Sequence, residues 1–333
     1  MELNGNTPRP RRSRGKGGGT KQDYERELQR LCDGSTTGRR SEAFVTIPWD
    51  DPDYALDPND SAWKLGPELE MGAHPWYQSL PEEEQIRIGK YRYAHTIEVG
   101  SQFEQSLIDG AMGFVDEQPM DSLEARYVLH EATEETHHIQ MFREFVKRTS
   151  VDTKGAPAWF RRIVPLLADY AGRKLPVTFW SAVLAGEEPI DHLQRTVRKN
   201  ANIPKLLDKI MEVHISEEAR HISFAHMYLE RHVKPEKMTR AQRAILAVTL
   251  PLTLRSFANV MIKPDKRARK DMGIPKSVTK ELWFKSEAGK ENLRNMFPDA
   301  RKLADNIGMR DGERKSKIGK LAWRVLGLDG PSS

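Results

Sequence analysis

Two motifs of the same form constrain the fold of this chain more than any other feature of its sequence. Glu135 and His138 lie in the segment HEATEETHHIQMF, and Glu218 and His221 lie in the segment HISEEARH. In each motif the carboxylate and the imidazole are three residues apart, so a helix brings them to the same face, one turn apart. The motifs therefore predict two helices whose faces carry the same pair of side chains.

The chain between about residues 80 and 260 has the periodicity of an all-α protein. Apolar residues recur there every three or four positions, without the alternation that is typical of β-strands. Glycine and proline fall mostly between these stretches, where they are expected to end helices. We predict helices at residues 82–112, 121–149, 157–172, 176–199, 203–232 and 239–262.

Charge is distributed unevenly along the chain, although its net value is only +5. Residues 8–21 carry six basic residues and no acid, and residues 263–333 carry 18 basic and 10 acidic residues. The first of these segments is too polar to form a core, so it predicts disorder. We expect a disordered basic tail (1–41), an irregular proline-rich lead-in (42–80), a helical bundle domain (81–262) and a basic helical extension (263–333).

Several classes of protein are excluded by composition. The single cysteine excludes a disulfide framework and favours a reducing compartment, so we expect a cytoplasmic protein. The longest apolar run, Ala244–Leu254, is shorter than the roughly 18–20 residues of a membrane-spanning helix. No glycine-rich loop follows a strand, so no flavin or nicotinamide site is predicted. We expect no specific nucleic-acid binding, and weak contact of the basic ends with an anionic surface is left open.

Helical register indicates that both motifs face the core. His138 shares a stripe with apolar residues, whereas Glu134 and His137 continue into polar positions and are predicted to face solvent. The second stripe contains Leu207, Ile210, His214, Glu218, His221, Ala225 and Tyr228. Buried carboxylates and imidazoles without partners each cost on the order of several kcal/mol, and a pair of metal ions is the simplest compensation.

Two further glutamates complete the pattern. Glu104 lies 31 residues before Glu135, and Glu187 lies the same 31 residues before Glu218. Two helical hairpins of matched length would produce this coincidence. The count favours Glu187 over Glu188, but Pro189 leaves the choice between them open. Two Glu-x-x-His motifs with one Glu from each of two other helices are how a four-helix bundle builds a di-iron or di-manganese centre.

This set of residues resembles the p-aminobenzoate N-oxygenase family of ferritin-like non-haem di-iron oxygenases. The distinguishing residue is His214, four positions before Glu218, because that family uses an added histidine as a seventh ligand. The resemblance covers roughly residues 68–235. It implies a ferritin-like four-helix bundle core with additional helices and irregular basic ends, and a centre of two iron ions.

The resemblance also implies how the ligands are shared. One iron would be bound by Glu104, Glu135 and His138. The other would be bound by Glu187, Glu218 and His221, with His214 added, and Glu135 and Glu218 would bridge the two irons. Glu131 and Asp191, each one turn from a ligand, are predicted to hydrogen-bond the ligating imidazoles.

The implied activity is O2 activation through a peroxo-diferric intermediate, followed by N-oxygenation of a small arylamine-type substrate. No catalytic residue beyond the metal ligands is predicted, and electrons are expected from a separate donor protein or reductant. One alternative is a di-iron hydroxylase or desaturase that acts on carbon, and another is a non-catalytic metal-binding bundle. A long apolar tunnel would favour carbon oxidation, and a compact pocket with polar anchors would favour arylamines. A homodimer is left open.

Overall fold

The computed structural model describes residues 21–37, 41–200, 202–233, 238–283, 285–306 and 317–329. Within these residues the regular structure is helical, and the chain has the predicted all-α fold. The helices are α1 (Lys21–Thr37), α2 (Ala43–Thr46), α3 (Pro75–Gln78), α4 (Glu82–Asp116), α5 (Leu123–Thr149), α6 (Ala158–Lys174), α7 (Pro176–Val197), α8 (Lys205–His232), α9 (Arg240–Ile262), α10 (Lys266–Asp271), α11 (Lys276–Glu281), α12 (Glu287–Asn295), α13 (Pro298–Asn306) and α14 (Lys317–Val325). Two short 3-10 turns, Pro52–Tyr54 and Ser61–Trp63, interrupt the lead-in.

Helices α4, α5, α7 and α8 form the bundle that contains the predicted ligands. All six predicted helices are present, and their ends lie within a few residues of the predicted ones. Ser122 caps the start of α5, because its side chain accepts a hydrogen bond from the Ala125 amide at 3.2 Å. Helix α6 lies so close to α4 that a Cβ atom on Gly172 would be 2.0 Å from the Gly110 carbonyl oxygen. Only glycine allows this approach.

Part of the predicted disordered tail is instead a helix, and the prediction of disorder for residues 21–37 is wrong. Leu28, Leu31 and Cys32 of α1 are buried, and the helix packs against α5 and α8. These apolar side chains recur at helical spacing and form one face of α1. Burial of this face against α5 and α8 stabilises the helix, although most of the other residues of α1 are polar. The remainder of the predicted tail, residues 1–20 and 38–40, lies outside the described residues.

Helix α9 is more apolar than the sequence run alone suggested. The segment Arg240–Asp271 is long and apolar enough to cross a membrane by length and composition, and 44% of its most apolar window is buried. The sequence run Ala244–Leu254 gave a shorter apolar length, because the helix continues beyond Leu254 with further apolar residues to Ile262. One side of α9, with Leu250, Leu254 and Ala258, is buried, and the helix packs against α7 and α14.

Candidate metal centre

The seven predicted ligands meet at the centre of the bundle. They are Glu104 of α4, Glu135 and His138 of α5, Glu187 of α7, and His214, Glu218 and His221 of α8, and all of them are buried. Their carboxylate oxygens and imidazole nitrogens form overlapping groups in which the atoms lie within 4.8 Å of one another. These groups are Glu104, His138, His214 and Glu218; Glu131, Glu135 and His221; and Glu104, Glu135 and Glu187.

The carboxylates of Glu135 and Glu218 lie between two imidazoles. Nδ1 of His138 is 2.7 Å from Glu135 Oε2 and 3.3 Å from Glu218 Oε1. Nδ1 of His221 is 2.7 Å from Glu135 Oε1 and 3.2 Å from Glu218 Oε2. Each carboxylate therefore reaches both histidines, which is the arrangement that a bridging position between two ions requires.

The outer nitrogens of the same two histidines are held by glutamates that the sequence analysis missed. Nε2 of His138 donates to Glu217 at 2.8 Å, and Nε2 of His221 donates to Glu134 at 2.9 Å. Glu134 was predicted to face solvent, but its side chain is only 14% exposed and also accepts a hydrogen bond from Arg220 at 2.6 Å. The sequence does contain a signal for these residues, since each motif glutamate, Glu135 or Glu218, is directly preceded by a second glutamate. In the structure this preceding glutamate binds the imidazole of the opposite helix.

His214 lies close to His138 and to the carboxylates of Glu104 and Glu218. Its ring lies 4.5 Å from the ring of His138, and its Nε2 is 3.1 Å from Glu104 Oε1. It therefore lies on the Glu104 side of the cluster and not with Glu187 and His221. The reason is that α5 and α8 run antiparallel, so the turn after Glu135 faces the turn before Glu218.

The structure distinguishes Glu187 from Glu188. Glu187 lies in the cluster with Glu104 and Glu135. The carboxylate of Glu188 instead accepts hydrogen bonds from the amides of Asp299 and Ala300, at 2.9 and 2.7 Å, at the start of α13. Successive residues of a helix point about 100° apart, so only one of the two side chains can enter the bundle centre.

The two residues predicted to support the ligands have different surroundings. Glu131 is buried beside Glu135 and His221, but within the described part of the chain neither of its oxygens has a hydrogen-bond partner. Asp191 accepts hydrogen bonds from Nε of Arg195 at 2.8 and 2.9 Å and supports no ligating imidazole, so its predicted role is wrong. Arg195 lies one turn after Asp191 on α7, so its guanidinium is close enough to bind the Asp191 carboxylate.

Burial and mutual contact divide the cluster into charged and neutral groups. Burial, reinforced by neighbouring carboxylates, raises the pKa of Glu104 and of Glu187 well above the ordinary value. Burial also raises the pKa of Glu131, to about 8. Burial opposes ionisation of Glu135 and Glu218 as well, but the adjacent histidines outweigh it and lower both pKa values, that of Glu135 to about 2.

The histidines divide in a corresponding way. Burial acts to lower the pKa of His138 and of His221, but the carboxylates of Glu135 and Glu218 outweigh it and raise both pKa values. Burial lowers the pKa of His214 to about 4. The cluster therefore balances two imidazolium ions against two carboxylates, while the other members are neutral.

The donor set fits a pair of iron ions. Oε2 of Glu104, Oε2 of Glu187 and Nδ1 of His214 are buried and have no hydrogen-bond partner among the residues that the structure describes. Unpartnered buried polar atoms are costly, and metal coordination would satisfy those that face the ions. Carboxylate and imidazole are ligand types that suit iron, and the outer hydrogen bonds of His138 and His221 fix the ring orientation that coordination needs.

Replacing the outer glutamates is expected to weaken metal binding without removing a ligand. In Glu134→Gln or Glu217→Gln the imidazole loses its charged partner, so we expect Fe2+ affinity to fall roughly 10–100-fold. Competition with a chromophoric chelator measures this. Glu212→Gln is the control, since Glu212 is an exposed partner of Lys209 on the same helix. Equal affinity of all three variants would contradict the assigned role.

Comparison with known proteins agrees with this geometry. The sequence model of a family described as P-aminobenzoate N-oxygenase AurF matches residues 21–308. The chain is 41% identical over 312 residues to the uncharacterized protein MT0908 of Mycobacterium tuberculosis CDC 1551, covering 93% of this chain and 89% of that protein. It is 40% identical, with the same coverage, to Mb0909 of Mycobacterium bovis and to Rv0885 of Mycobacterium tuberculosis H37Rv, which are also uncharacterized. No solved structure matches.

The fold and the cluster define an all-α, ferritin-like protein with a buried site of glutamates and histidines that is able to hold metal. The chain belongs to the p-aminobenzoate N-oxygenase AurF family, since the match extends over most of its length.

Proposed function

We propose that the protein is an O2-activating di-iron oxygenase that N-oxygenates a small arylamine-type substrate, with electrons from a separate donor. The observation that carries the proposal is the pair of Glu-x-x-His motifs of α5 and α8, whose carboxylates each reach both imidazoles. Membership of the AurF family supports the oxygenase class.

A cavity of about 80 Å³ adjoins the cluster and supports a small substrate. Its lining includes Phe142, Ile190 and Met211, each one turn from a predicted ligand on α5, α7 or α8. The ring of Phe142 lies 5.0 Å from that of His214, so Phe142 forms the wall between the cavity and the cluster. The apolar wall favours a flat or aliphatic group next to the metal centre.

The same cavity has a buried cation in its wall. Arg92 is buried, and its guanidinium donates to the hydroxyl of Thr96 and, at 2.6 Å, to the carbonyl of Ile262. Burial lowers the pKa of Arg92 to about 10, which leaves it positively charged at neutral pH. No carboxylate of the described residues forms an ion pair with it. Glu68 and Glu70 also line the cavity, but neither forms an ion pair with Arg92, so the buried cation favours a substrate that carries an acidic group and a polar-anchored pocket over an apolar tunnel.

The residues of the chain have separable roles in this proposal. Bound iron would supply the redox chemistry with O2. Glu135 and Glu218 hold the positions between the two imidazoles, and Glu134 and Glu217 keep those rings in orientation. Arg92 holds the acidic group of the substrate, which directs the opposite end of the molecule toward the cluster. The apolar wall excludes water from the space between them.

Anaerobic loading with Fe2+ followed by admission of O2 tests the proposal. We expect about two irons per chain, as the paired motifs require, and a transient visible absorption band after O2 is added. With 4-aminobenzoate as the probe, we expect hydroxylamine and nitro products. Iron retention that is equally weak in the wild type, Glu135→Ala and His221→Ala would overturn the site. Ring hydroxylation without nitrogen oxidation would favour the reading in which the enzyme acts on carbon.

Replacing Arg92 is expected to discriminate between probes. Hydrogen bonds to charged groups contribute about 1.5–3 kcal/mol, so Arg92→Met should weaken 4-aminobenzoate binding roughly 10–100-fold and leave aniline binding little changed. Titration calorimetry measures both affinities. Arg92→Lys, which keeps the charge, should retain part of the preference for the acid. A loss of affinity that is the same for both probes would argue against the anchor.

A further inference from the structure

Helices α9 and α14 lie side by side and together carry no acidic residue. The sequence of α9 includes Arg240 and Arg255 but neither Asp nor Glu. The nine residues of α14, KIGKLAWRV, include Lys317, Lys320 and Arg324 and likewise no acid. Since the two helices pack against each other, they contribute only positive charges to the surface that they share.

The outer side of this region is also apolar. Ile318, Leu321 and Val325 of α14 are 58%, 58% and 74% exposed, while Trp323 on the opposite side is fully buried and fixes the helix to the protein. On α9, Ile245 and Leu252 are 63% and 51% exposed. The exposed apolar residues of α14 recur three and four positions apart and therefore form a stripe. Large aliphatic side chains in a stripe of this kind mark an interaction surface.

The charges identify the partner. Lys317, Lys320 and Arg324 are exposed, and none of them forms an ion pair with a carboxylate in the part of the chain that is described. A second copy docked symmetrically on this face would bring these cations against their own counterparts, which disfavours self-association. A nucleic acid would satisfy the charges but leave the aliphatic stripe in contact with a polar backbone. An anionic bilayer surface satisfies both features.

We propose that the face formed by α9 and α14 binds the surface of an anionic lipid bilayer. In this arrangement Ile318, Leu321 and Val325 enter the boundary between headgroups and acyl chains, and Lys317, Lys320 and Arg324 contact lipid phosphates. The protein lies on the membrane and does not cross it, because the inner side of α9 is occupied by the bundle. The inference is independent of the reaction at the metal centre.

Vesicle flotation of the full chain tests the proposal. We expect binding to vesicles of phosphatidylcholine mixed with phosphatidylglycerol, little binding to phosphatidylcholine alone, and weakening of the bound fraction by added salt. The triple variant Lys317→Gln, Lys320→Gln, Arg324→Gln should lower the partition coefficient on the order of a hundredfold, because each base near an anionic surface contributes about fivefold. The double variant Ile318→Ser, Leu321→Ser should also reduce binding. All five side chains are exposed, so the folded state is retained.

Two controls separate this face from other contributions. The double variant Met120→Ser, Leu129→Ser removes exposed apolar side chains elsewhere and should bind as the wild type does. A variant with Arg9, Arg11, Arg12 and Arg14 changed to Gln removes the basic N-terminal run and should retain most of the binding. If this tail variant alone abolishes binding, or if the α14 variants bind normally, the proposal is wrong.

A fluorescent probe provides a direct readout of insertion. The chain has one cysteine, Cys32, which is buried, so an environment-sensitive thiol label attached through Leu321→Cys reports on α14 alone. Anionic vesicles should shift its emission to the blue, and the same label attached through Leu129→Cys should not respond. A blue shift that appears without lipid as the protein concentration rises would indicate an interface between copies. A response to duplex DNA but not to vesicles would indicate a nucleic-acid surface, and either result overturns the proposal.

Discussion

Loading the metal-free protein with Fe2+ is expected to release about four protons per chain at about pH 6.5. Two come from Glu104 and Glu187, whose pKa values burial raises well above the ordinary carboxyl value. Two come from His138 and His221, whose pKa values the neighbouring carboxylates raise. Ligation requires all four groups in the deprotonated form, so four protons leave as two divalent ions enter. Exchanging four protons for two divalent ions leaves the net charge of this buried site unchanged.

Titration calorimetry in two buffers of different ionisation enthalpy counts the protons. Because release opposes binding, lower pH weakens affinity, and the product of the two dissociation constants should rise up to about 10⁴-fold for each unit that the pH falls. Glu187→Gln should release about one proton fewer than the wild type, and the adjacent Glu188→Gln should match the wild type. A count of about two in the wild type would mean that the two carboxyls are already ionised before metal enters.

The metal-free protein is expected to lose stability as the pH rises from about 6.5 to about 8. The pKa of Glu131 in the folded state is raised to about 8, so the folded protein keeps a proton that the unfolded chain has lost in this window. The raised pKa values of Glu104, Glu187, His138 and His221 act in the same direction. The lowered pKa values of Glu135 and Glu218 act oppositely only below about pH 4.5, whereas the lowered pKa values of His95, about 3, and His214, about 4, act oppositely up to about pH 6.5.

Glu131→Gln isolates one part of this effect. At pH 8 the metal-free variant should be more stable than the wild type by roughly 3–4 kcal/mol, since the neutral amide has no proton to lose, and at pH 5 the two should be similar. Urea unfolding at both pH values measures the difference, with Glu212→Gln as an exposed control. If Glu131→Gln destabilises the protein equally at both pH values, the Glu131 carboxyl makes a structural contact, and its ionisation does not lower the stability of the wild type.

The bundle and the positions of the seven predicted ligands could be predicted because they follow from periodicity. Helical spacing fixes which side chains share a face, and the equal separation of each lone glutamate from its motif reflects helices of matched length. That count favoured Glu187 but left Glu188 open, and the hydrogen bonds of Glu188 with α13 decide between them. Within one helix, therefore, the sequence carried most of the geometry of the site.

Contacts between helices were harder to predict. The direction of α5 relative to α8 decides that His214 lies beside His138 and that Glu134 reaches His221, and no single-helix pattern contains that information. Helix α1 was missed for a related reason, since its short apolar face is stable only when it packs on α5 and α8. Asp191 had the expected spacing from Glu187, but its carboxylate instead accepts hydrogen bonds from Arg195 on the same helix.

The hydrogen bonds of Glu188 make α13 a reporter of events in the bundle. Glu188 and Glu187 are neighbours, so we expect a shift of this turn of α7 on metal binding to change the hydrogen bonds of the Asp299 and Ala300 amides. We therefore expect the hydrogen-exchange rates of these two amides to depend on whether metal is bound, although α13 contains no predicted metal ligand. Through this link α13 is coupled to the turn of α7 that carries Glu187.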